Sequence, residues 1–297
     1  MRIDGIVDPR ITLRPPPLAE LDLTGKELIV IGGTNGLGRA VARQAWMLGA
    51  EVTVVGRTFR DNPAERLNFL EADLSSLRAA VRLGNELPVE AADAVLFTQG
   101  IFAAKSREET GEGIERDMAV SHLSRIAMLP GLALRLGRAR TGNRFPARIF
   151  IMGSPGTGEL GDPADLNAER DYRAVRAHQN TVAANEALVL AGRDRWPGPD
   201  HFGLNPGPTK TDLLSNRLGR DTLANWATQA LIGLLRPSPE TYAERIVPVL
   251  FATDLTGQSG LMINGKGRPI RPTRGMDDVR VDEFMTASEN LLRRAVG

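Results

Sequence analysis

Short apolar segments alternate along this chain with longer segments of helical periodicity, and this alternation constrains the fold more than any other feature. Because parallel strands need a crossover between them, the pattern predicts strand–helix units around a buried parallel sheet. The predicted strands are residues 28–32, 52–55, 67–71, 94–98, 148–152, 202–204 and 261–263. The predicted helices are residues 37–48, 74–83, 114–136, 173–193 and 241–251. We therefore expect an α/β fold of the Rossmann type, with a doubly wound parallel sheet of seven strands and helices on both faces.

Two segments depart from the regular alternation. Residues 1–23 contain three consecutive prolines, which predicts an extended N-terminal arm before a single domain over residues 24–297. Residues 212–239 carry an apolar helical run of their own and predict a helical lid over the carboxyl edge of the sheet. The large apolar residues of that run are Leu213, Leu214, Leu218, Leu223, Trp226, Leu231 and Leu234. They suit a wide apolar cleft for a flat polycyclic ligand.

Composition and charge exclude several classes of protein. The 297 residues carry a formal charge of +1, so no overall field favours nucleic acid or an anionic membrane. The absence of cysteine excludes disulfides, thiolate nucleophiles and cysteine-ligated metals. Residues 1–23 lack the apolar segment of a signal peptide, and the longest uncharged stretch, residues 222–235, is too short to span a bilayer. We expect a cytoplasmic protein that binds neither nucleic acid nor membrane.

Only three histidines occur, and their positions show no metal-ligand spacing. They are His122, His178 and His201. The first is expected to have a structural role, and the last is expected to lie in a loop before a strand. No catalytic metal is predicted.

A glycine-rich turn follows the first predicted strand and leads directly into a helix. Glycines allow the chain to turn sharply and let backbone N–H groups approach a pyrophosphate at the helix N-terminus. The residues predicted to bind a dinucleotide here are Gly32, Thr34, Asn35, Gly36, Leu37 and Gly38. The second strand ends in Gly56 and Arg57 rather than in a carboxylate. A guanidinium suits a 2′-phosphate, so NADP(H) is favoured over NAD.

The spacing Gly-x3-Gly-x-Gly resembles the fingerprint of the short-chain dehydrogenase/reductase superfamily, and further matches follow in the same order over about residues 25–265. Asp73 and Leu74 resemble the adenine-binding pair, and Gly100 is the final glycine of a segment that otherwise departs from Asn-Asn-Ala-Gly. Residues 205–211 match the Pro-Gly-x3-Thr segment that usually contacts the cofactor near the nicotinamide. The resemblance implies that the cofactor also contacts Pro206, Gly207, Thr209 and Thr211.

The catalytic set of that superfamily, Asn-Ser-Tyr-Lys, is only partly matched. Ser154 follows the fifth strand and matches the serine, while Ser121 stands where retinol-dehydrogenase-like members have the asparagine before His-Leu. The chain has two tyrosines, Tyr172 and Tyr242, and neither is followed by lysine four residues later. The usual proton donor is therefore missing.

Three alignments compete for the tyrosine and lysine positions. Matching Ala184-Asn185 to the segment after the lysine puts His178 and Val182 there, whereas counting back from Pro206-Gly207 puts Arg176 and Asn180 there. The third pairs Tyr172 with Arg176. His178 is preferred because it lies 24 residues after Ser154, near the interval of retinol-dehydrogenase-like members. The predicted catalytic residues are Ser154, His178 and Ser121.

Two functions are compatible with these departures. The sequence resembles tyrosine-less ketoreductases of angucyclinone and aromatic-polyketide antibiotic biosynthesis, which implies NADPH-dependent reduction of a bulky ketone, with a substrate hydroxyl able to assist. The alternative is a catalytically degenerate NADP(H)-binding protein that acts as a sensor, an interaction protein or a non-redox cyclase. The expected partner is a small-molecule ketone. A homo-oligomer through the fourth and fifth helices, as in many relatives, stays open.

Overall fold

One sheet of eight strands organises the protein. The computed structural model describes residues 4–141, 145–207 and 237–297. The strand order is β3-β2-β1-β4-β5-β6-β7-β8, in which every neighbouring pair is parallel except β7 and β8. The strands are β1 Glu27–Ile31, β2 Glu51–Gly56, β3 Leu67–Glu71, β4 Ala94–Phe97, β5 Arg148–Met152, β6 Asp200–Asn205, β7 Met262–Asn264 and β8 Pro269–Ile270.

The central strands are apolar on both faces. Leu28, Ile29, Val30 and Ile31 of β1 are completely buried. Near-continuous apolar runs are typical of parallel strands covered by helices on both sides. Since β1 lies between β2 and β4, the direction of winding reverses beside it, and the crevice for a ligand is expected at the carboxyl ends of these strands.

Helices cover both faces of the sheet. They are α1 Gly36–Met47, α2 Leu77–Glu86, α3 Arg116–Met118, α4 Ser124–Ala133, α5 Ala174–Arg195, α6 Pro239–Leu250 and α7 Asp278–Val296. A π-helical turn, Ala119–Leu123, joins α3 to α4. The helices α1 and α6 pack against one another on one face, while α2 packs on α4 and α5 packs on α7 on the other. None of the described helices is both long and apolar enough to cross a bilayer.

The predicted fold class is confirmed, with local corrections. All seven predicted strands and five predicted helical segments are present, although the segment 114–136 is interrupted by the π turn. The sequence prediction missed β8 and α7. It was wrong about His201, which lies inside β6 and is completely buried rather than in a loop.

The N-terminal arm packs along the edge of the sheet. The N–H of Asp8 donates to the carbonyl of Pro269 at 3.0 Å, and the N–H of Arg271 donates to the carbonyl of Ile6 at 2.8 Å. Ile11 and Leu13 pack against the apolar cluster under α1 and α6. The arm thus extends the antiparallel edge formed by β8. Most of the predicted lid, residues 212–236, lies outside the described residues.

Candidate active site

The turn between β1 and α1 touches the end of β4 so closely that side chains would not fit. Gly32 has φ +87°, and a Cβ there would lie 2.4 Å from the backbone nitrogen of Gln99. A Cβ on Gly38 would lie 2.3 Å from Oγ1 of Thr98, which itself donates to the carbonyl of Ile31 at 2.9 Å. The turn therefore packs directly against the end of β4, and only glycine fits at these two positions.

Helix α1 begins where that turn ends. Gly36 is its first residue, with φ +53°, and the side chain of Asn35 makes no capping hydrogen bond with the helix. The first N–H groups of a helix have no intrahelical acceptor, and the helix dipole favours an anion beside them. Leu37 is buried beneath the turn. The arrangement fits a phosphate group.

The ends of β2 and β3 bring a cation and a carboxylate to the same edge. Gly56 must be glycine, since a Cβ there would lie 2.6 Å from Cγ2 of Thr34. Arg57 is exposed, whereas Leu74 is buried. Burial tends to raise the pKa of Asp73, but hydrogen bonds from Ser75 and the nearby charge of Arg57 lower it overall. Asp73 is thus an ionised acceptor near a free guanidinium.

The cofactor residues predicted from the Pro-Gly-x3-Thr segment are only partly described. Gly207 has φ +65°, and its N–H donates to Oδ1 of Asn205 at 2.9 Å. A Cβ on Gly207 would lie 2.8 Å from a carboxylate oxygen of Asp4, so the N-terminal arm reaches this motif. Pro206 precedes it at the end of β6. Thr209 and Thr211 lie outside the described residues.

Ser154 follows β5 and has an unusual backbone. Its φ of +56° lies in the left-handed region, which costs a non-glycine residue of order 1–2 kcal/mol. The preceding Gly153 permits a close approach, because a Cβ there would lie 2.5 Å from Cβ of Asn185 on α5. Backbone strain of this kind is frequent at functional sites, where a side chain must be held in one orientation.

His178 and Ser121 meet on a carboxylate that the sequence prediction missed. Nδ1 of His178 lies 2.7 Å from Oδ2 of Asp117, and the hydroxyl of Ser121 donates to Oδ1 at 2.5 Å. The Asp117 side chain is completely buried, whereas that of His178 is 30% exposed. The imidazole packs against the ring of Phe102, with centroids 4.3 Å apart. The sequence did contain a signal for this contact. Asp117 lies four residues before Ser121 in a predicted helix, and residues four apart share one helix face.

The loop after β4 is tied to the same cluster. The N–H of Ile101 donates to Oγ of Ser121 at 3.0 Å, and the exposed Gly100 lies directly before it. Gln99 donates through Nε2 to Oγ of Ser124. Gly100 is therefore held next to Ser121, one of the predicted catalytic residues.

Asn185 fixes α5 against the π turn. Its Nδ2 donates to the carbonyl of Ser121 at 2.9 Å, and its Oδ1 lies 3.2 Å from Nδ1 of His122. His122 also contacts Ser288 of α7 at 2.8 Å. Burial lowers the pKa of His122 to about 3, so its ring is neutral and structural. Because His178 lies seven residues before Asn185, these contacts place it beside Asp117.

A buried arginine joins the ends of β4 and β5. Nη2 of Arg125 donates to the carbonyls of Gln99, at 2.6 Å, and Met152, at 2.9 Å. Burial lowers the pKa of Arg125 to about 9, while the charge of Asp117 acts in the opposite direction. The two charges therefore stabilise one another within the same buried region.

Tyr172 is committed to another contact, and Tyr242 is buried in the core. The hydroxyl of Tyr172 donates to the carbonyl of Ala104 at 2.6 Å, while Arg176 pairs with Asp162. Burial and nearby carboxylates raise the pKa of Tyr172 to about 12. Tyr242 is buried in α6, and burial raises the pKa of its hydroxyl further. The side chains of Tyr172 and Arg176 thus do not form a Tyr–Lys-like pair.

The other alignment for the proton donor does not give a catalytic pair either. Asn180 accepts from the N–H of Asp162 at 2.8 Å and donates to the carbonyl of Asp165, so it holds the loop before α5. Val182, at the family lysine position in the preferred alignment, is buried. No group of three or more potential metal ligands occurs among the residues that the structure describes.

Comparison with known proteins places the chain in a family. It is 42% identical over 293 residues to an uncharacterised oxidoreductase of Saccharomyces cerevisiae, covering 97% of this chain and 95% of that protein. It is 29% identical to a Streptomyces protein provisionally named daunorubicin C-13 ketoreductase, over 68% of this chain and 71% of the other. No protein-family model matches.

A solved structure agrees in fold. The structure of a short chain dehydrogenase from Escherichia coli CFT073, complexed with NADPH, superposes with a TM-score of 0.60. It shares 15% sequence identity, and the match covers 84% of this chain and all of that one. The chain therefore has the fold of short-chain dehydrogenases. Its identity to the yeast protein, over nearly the whole of both chains, shows that it belongs with the oxidoreductases and acts on a small-molecule substrate.

Proposed function

We propose that this oxidoreductase is an NADPH-dependent ketoreductase in which His178 replaces the superfamily's tyrosine as proton donor. The observation that carries the proposal is the partly exposed imidazole of His178, held 2.7 Å from a completely buried carboxylate. Neutral imidazole and imidazolium interconvert near neutral pH, which suits general acid–base catalysis. Its alignment with the family's tyrosine supports the same role.

The residues present fit NADP(H). The glycine turn and the N-terminus of α1 would hold the pyrophosphate, because Gly32 and Gly38 have no side chain at the turn. Arg57 would bind the 2′-phosphate, and Asp73 with Leu74 would face the adenine. The remaining predicted contacts, at the nicotinamide end, are Gly100, Pro206, Gly207, Thr209 and Thr211. The NADPH complex of a structural relative supports this assignment.

The chain's own residues would supply the proton and orient the carbonyl. Bound NADPH supplies the hydride. His178 would donate a proton from Nε2 to the carbonyl oxygen, and the hydroxyl of Ser154 would hydrogen-bond the same oxygen. General acid catalysis contributes roughly 10²- to 10⁴-fold to such a rate. A substrate hydroxyl beside the ketone would assist by donating a hydrogen bond to the carbonyl oxygen, because an intramolecular donor is already oriented.

The proposed substrate class is a ketone on a bulky aromatic polyketide, which would place the enzyme in antibiotic biosynthesis. Support comes from the name of the Streptomyces relative and from the apolar character of residues 212–239. A flat apolar substrate suits an apolar cleft with few polar groups near the reacting carbonyl.

NADPH oxidation, followed at 340 nm, tests the proposal. The protein is incubated with aryl ketones that carry a hydroxyl in the peri position and with their O-methyl ethers. We expect both series to be reduced, and the hydroxylated ketones faster. Tight NADPH binding with no reduction of any ketone would contradict the proposal and favour the non-catalytic NADP(H)-binding alternative.

A further inference from the structure

We infer that Asp117 is a positioning residue of this site, which holds the proton of His178 on Nδ1 so that Nε2 faces the substrate oxygen. The inference rests on the proposed function for its chemical consequence. The geometric part, the orientation and tautomer of the imidazole, stands on contacts that the structure gives independently of any substrate.

Each carboxylate oxygen of Asp117 has its own partner. Oδ2 lies 2.7 Å from Nδ1 of His178, and Oδ1 accepts the hydroxyl of Ser121. An ionised carboxylate only accepts hydrogen bonds, so the Nδ1 atom carries the hydrogen. The fixed tautomer leaves the lone pair of the neutral ring on Nε2, and a proton gained by the imidazole resides there.

The position of Asp117 is rigid. Glu115 caps α3 by accepting from the N–H of Met118 at 2.8 Å, and its own N–H donates to Oδ1 of Asn167 at 2.7 Å. Ser121 lies in the π turn, a helix irregularity that often marks a functional site. The carboxylate of Asp117 is thereby held by Glu115, which precedes it in the chain, and by Ser121, which follows it.

Titratable groups of both kinds surround Asp117: Glu115 at the start of α3, Arg125 on α4, and Tyr172 in the segment before α5. Burial raises the pKa of Glu115, and the charge of Asp117 raises it further. Arg125 is buried, and its charge and that of Asp117 attract. Tyr172 has a pKa raised to about 12 and is neutral at physiological pH. Phe102, which packs on the imidazole from the loop after β4, is uncharged.

The proton balance of the reduction follows from this arrangement. The hydride that the ketone carbon accepts would come from bound NADPH, and the proton on Nε2 of the His178 imidazolium would go to the oxygen, so that the products would be the alcohol and NADP⁺. The ring becomes neutral and keeps the Nδ1 proton on Asp117. With its side chain 30% exposed, His178 regains a proton from solvent for the next turnover.

Nitrogen-15 NMR of the imidazoles of the full-length protein tests the geometry directly. The chain has only three histidines, and burial lowers the pKa of His122 to about 3 and that of His201 to about 4. The rings of His122 and His201 are therefore neutral at physiological pH, and His178→Gln identifies the signals of His178. We expect the neutral ring of His178 to be protonated on Nδ1 and to lose this preference in Asp117→Asn. An Nε2-protonated neutral ring in the wild type would overturn the inference.

Kinetics test the consequence. Asp117→Asn should lower kcat roughly 10²-fold or more, the size of a general acid contribution, with an unchanged Kd for NADPH. The pH profile of kcat should change as well, because the carboxylate that faces Nδ1 of His178 is lost. Ser121→Ala, which keeps the His178 contact, should lose less. The control is Arg176→Gln on α5, the helix that carries His178. The side chain of Arg176 pairs with Asp162 at the surface.

The outcomes separate this inference from the proposed function. Wild-type kcat and an unshifted pH profile in Asp117→Asn, with ketone reduction intact, would overturn the positioning role alone. If the wild-type protein reduces no ketone, the proposed function fails, and the NMR spectra still decide whether Asp117 fixes the tautomer. Should Asp117→Asn not fold, the wild-type spectra and Ser121→Ala carry the test.

Discussion

At the scale of single residues, the backbone of Ser154 combines a predicted catalytic role with conformational strain. A left-handed φ at a serine costs stability that a glycine would not lose. Ser154→Gly removes both the Cβ and the hydroxyl, whereas Ser154→Ala removes the hydroxyl alone. The two variants therefore separate stability from function.

We predict that Ser154→Gly raises the free energy of unfolding by about 1 kcal/mol and lowers kcat roughly 10²-fold, because the hydroxyl is lost. Ser154→Ala should lose the same activity without gaining stability. Urea unfolding and ketone-reduction kinetics measure both effects. A fully active Ser154→Gly would remove Ser154 from the catalytic set.

Two buried histidines determine the response to acid. Burial lowers the pKa of His122 to about 3 and of His201 to about 4, against 6.5 in an unfolded chain. Because the unfolded chain binds more protons below pH 6.5, the stability due to these neutral rings is present above that pH and is lost as the pH falls towards 4.

We predict that the free energy of unfolding falls by about 2 kcal/mol for each of the two histidines between pH 7 and pH 5. His201→Leu should remove about half of this pH dependence, while His122, through its contacts with Asn185 and Ser288, retains the rest. Urea unfolding at several pH values provides the measurement. Equal slopes for the wild type and His201→Leu would show that His201 is not held neutral.

At the scale of secondary-structure elements, the crevice depends on where β1, β2 and α1 end. The glycine turn was predictable from sequence, since only glycines allow the approach of Gly32 to Gln99 and of Gly38 to Thr98. The role of Arg57 rests on its place one residue after β2, where it is exposed. No described ion pair engages its guanidinium.

We predict that Arg57→Ala weakens NADPH binding roughly 10- to 100-fold and leaves NADH binding unchanged, because a charge-assisted hydrogen bond to the 2′-phosphate is worth about 1.5–3 kcal/mol. Arg60→Ala, an exposed arginine three residues further along the chain, is the control. Fluorescence titration with both cofactors gives the affinities. A parallel loss of NADH affinity in Arg57→Ala would contradict a 2′-phosphate contact.

Sequence patterns predicted elements better than contacts between them. The alternation of apolar and helical segments predicted seven of the eight strands, and the predicted helix 173–193 corresponds to α5, which carries His178. Asp117 escaped notice because its importance arises from tertiary contacts with His178 and Ser121, which no local pattern encodes. Likewise the π turn shows no signal in a helical periodicity.

At the scale of the whole molecule, α7 completes the face of the sheet that carries the site. Glu186 of α5 accepts hydrogen bonds from Thr273 and from the N–H of Gly156, which fixes the segment before α7 to the loop after β5. Phe284 of α7 is completely buried in the cluster that also contains Ala183 and Ala187 of α5. Self-association through α5 would have to leave this packing intact.

We predict that Phe284→Ala lowers the free energy of unfolding by about 3–5 kcal/mol, the usual cost of removing a buried aromatic ring. The glycine turn leads into α1, which packs on the opposite face of the sheet from Phe284, so the Kd for NADPH of the folded variant should match that of the wild type. Val279→Ala, on an exposed face of α7, is the control. Urea unfolding measures the stability of both variants. Equal stability of Phe284→Ala and Val279→Ala would contradict the prediction.

The most direct test of the account is the single-turnover rate of ketone reduction by His178→Gln with saturating NADPH. We predict a fall of roughly 10²- to 10⁴-fold, the contribution of a general acid, with cofactor affinity preserved. An unchanged rate would show that the proton comes from elsewhere and would contradict the assignment of His178.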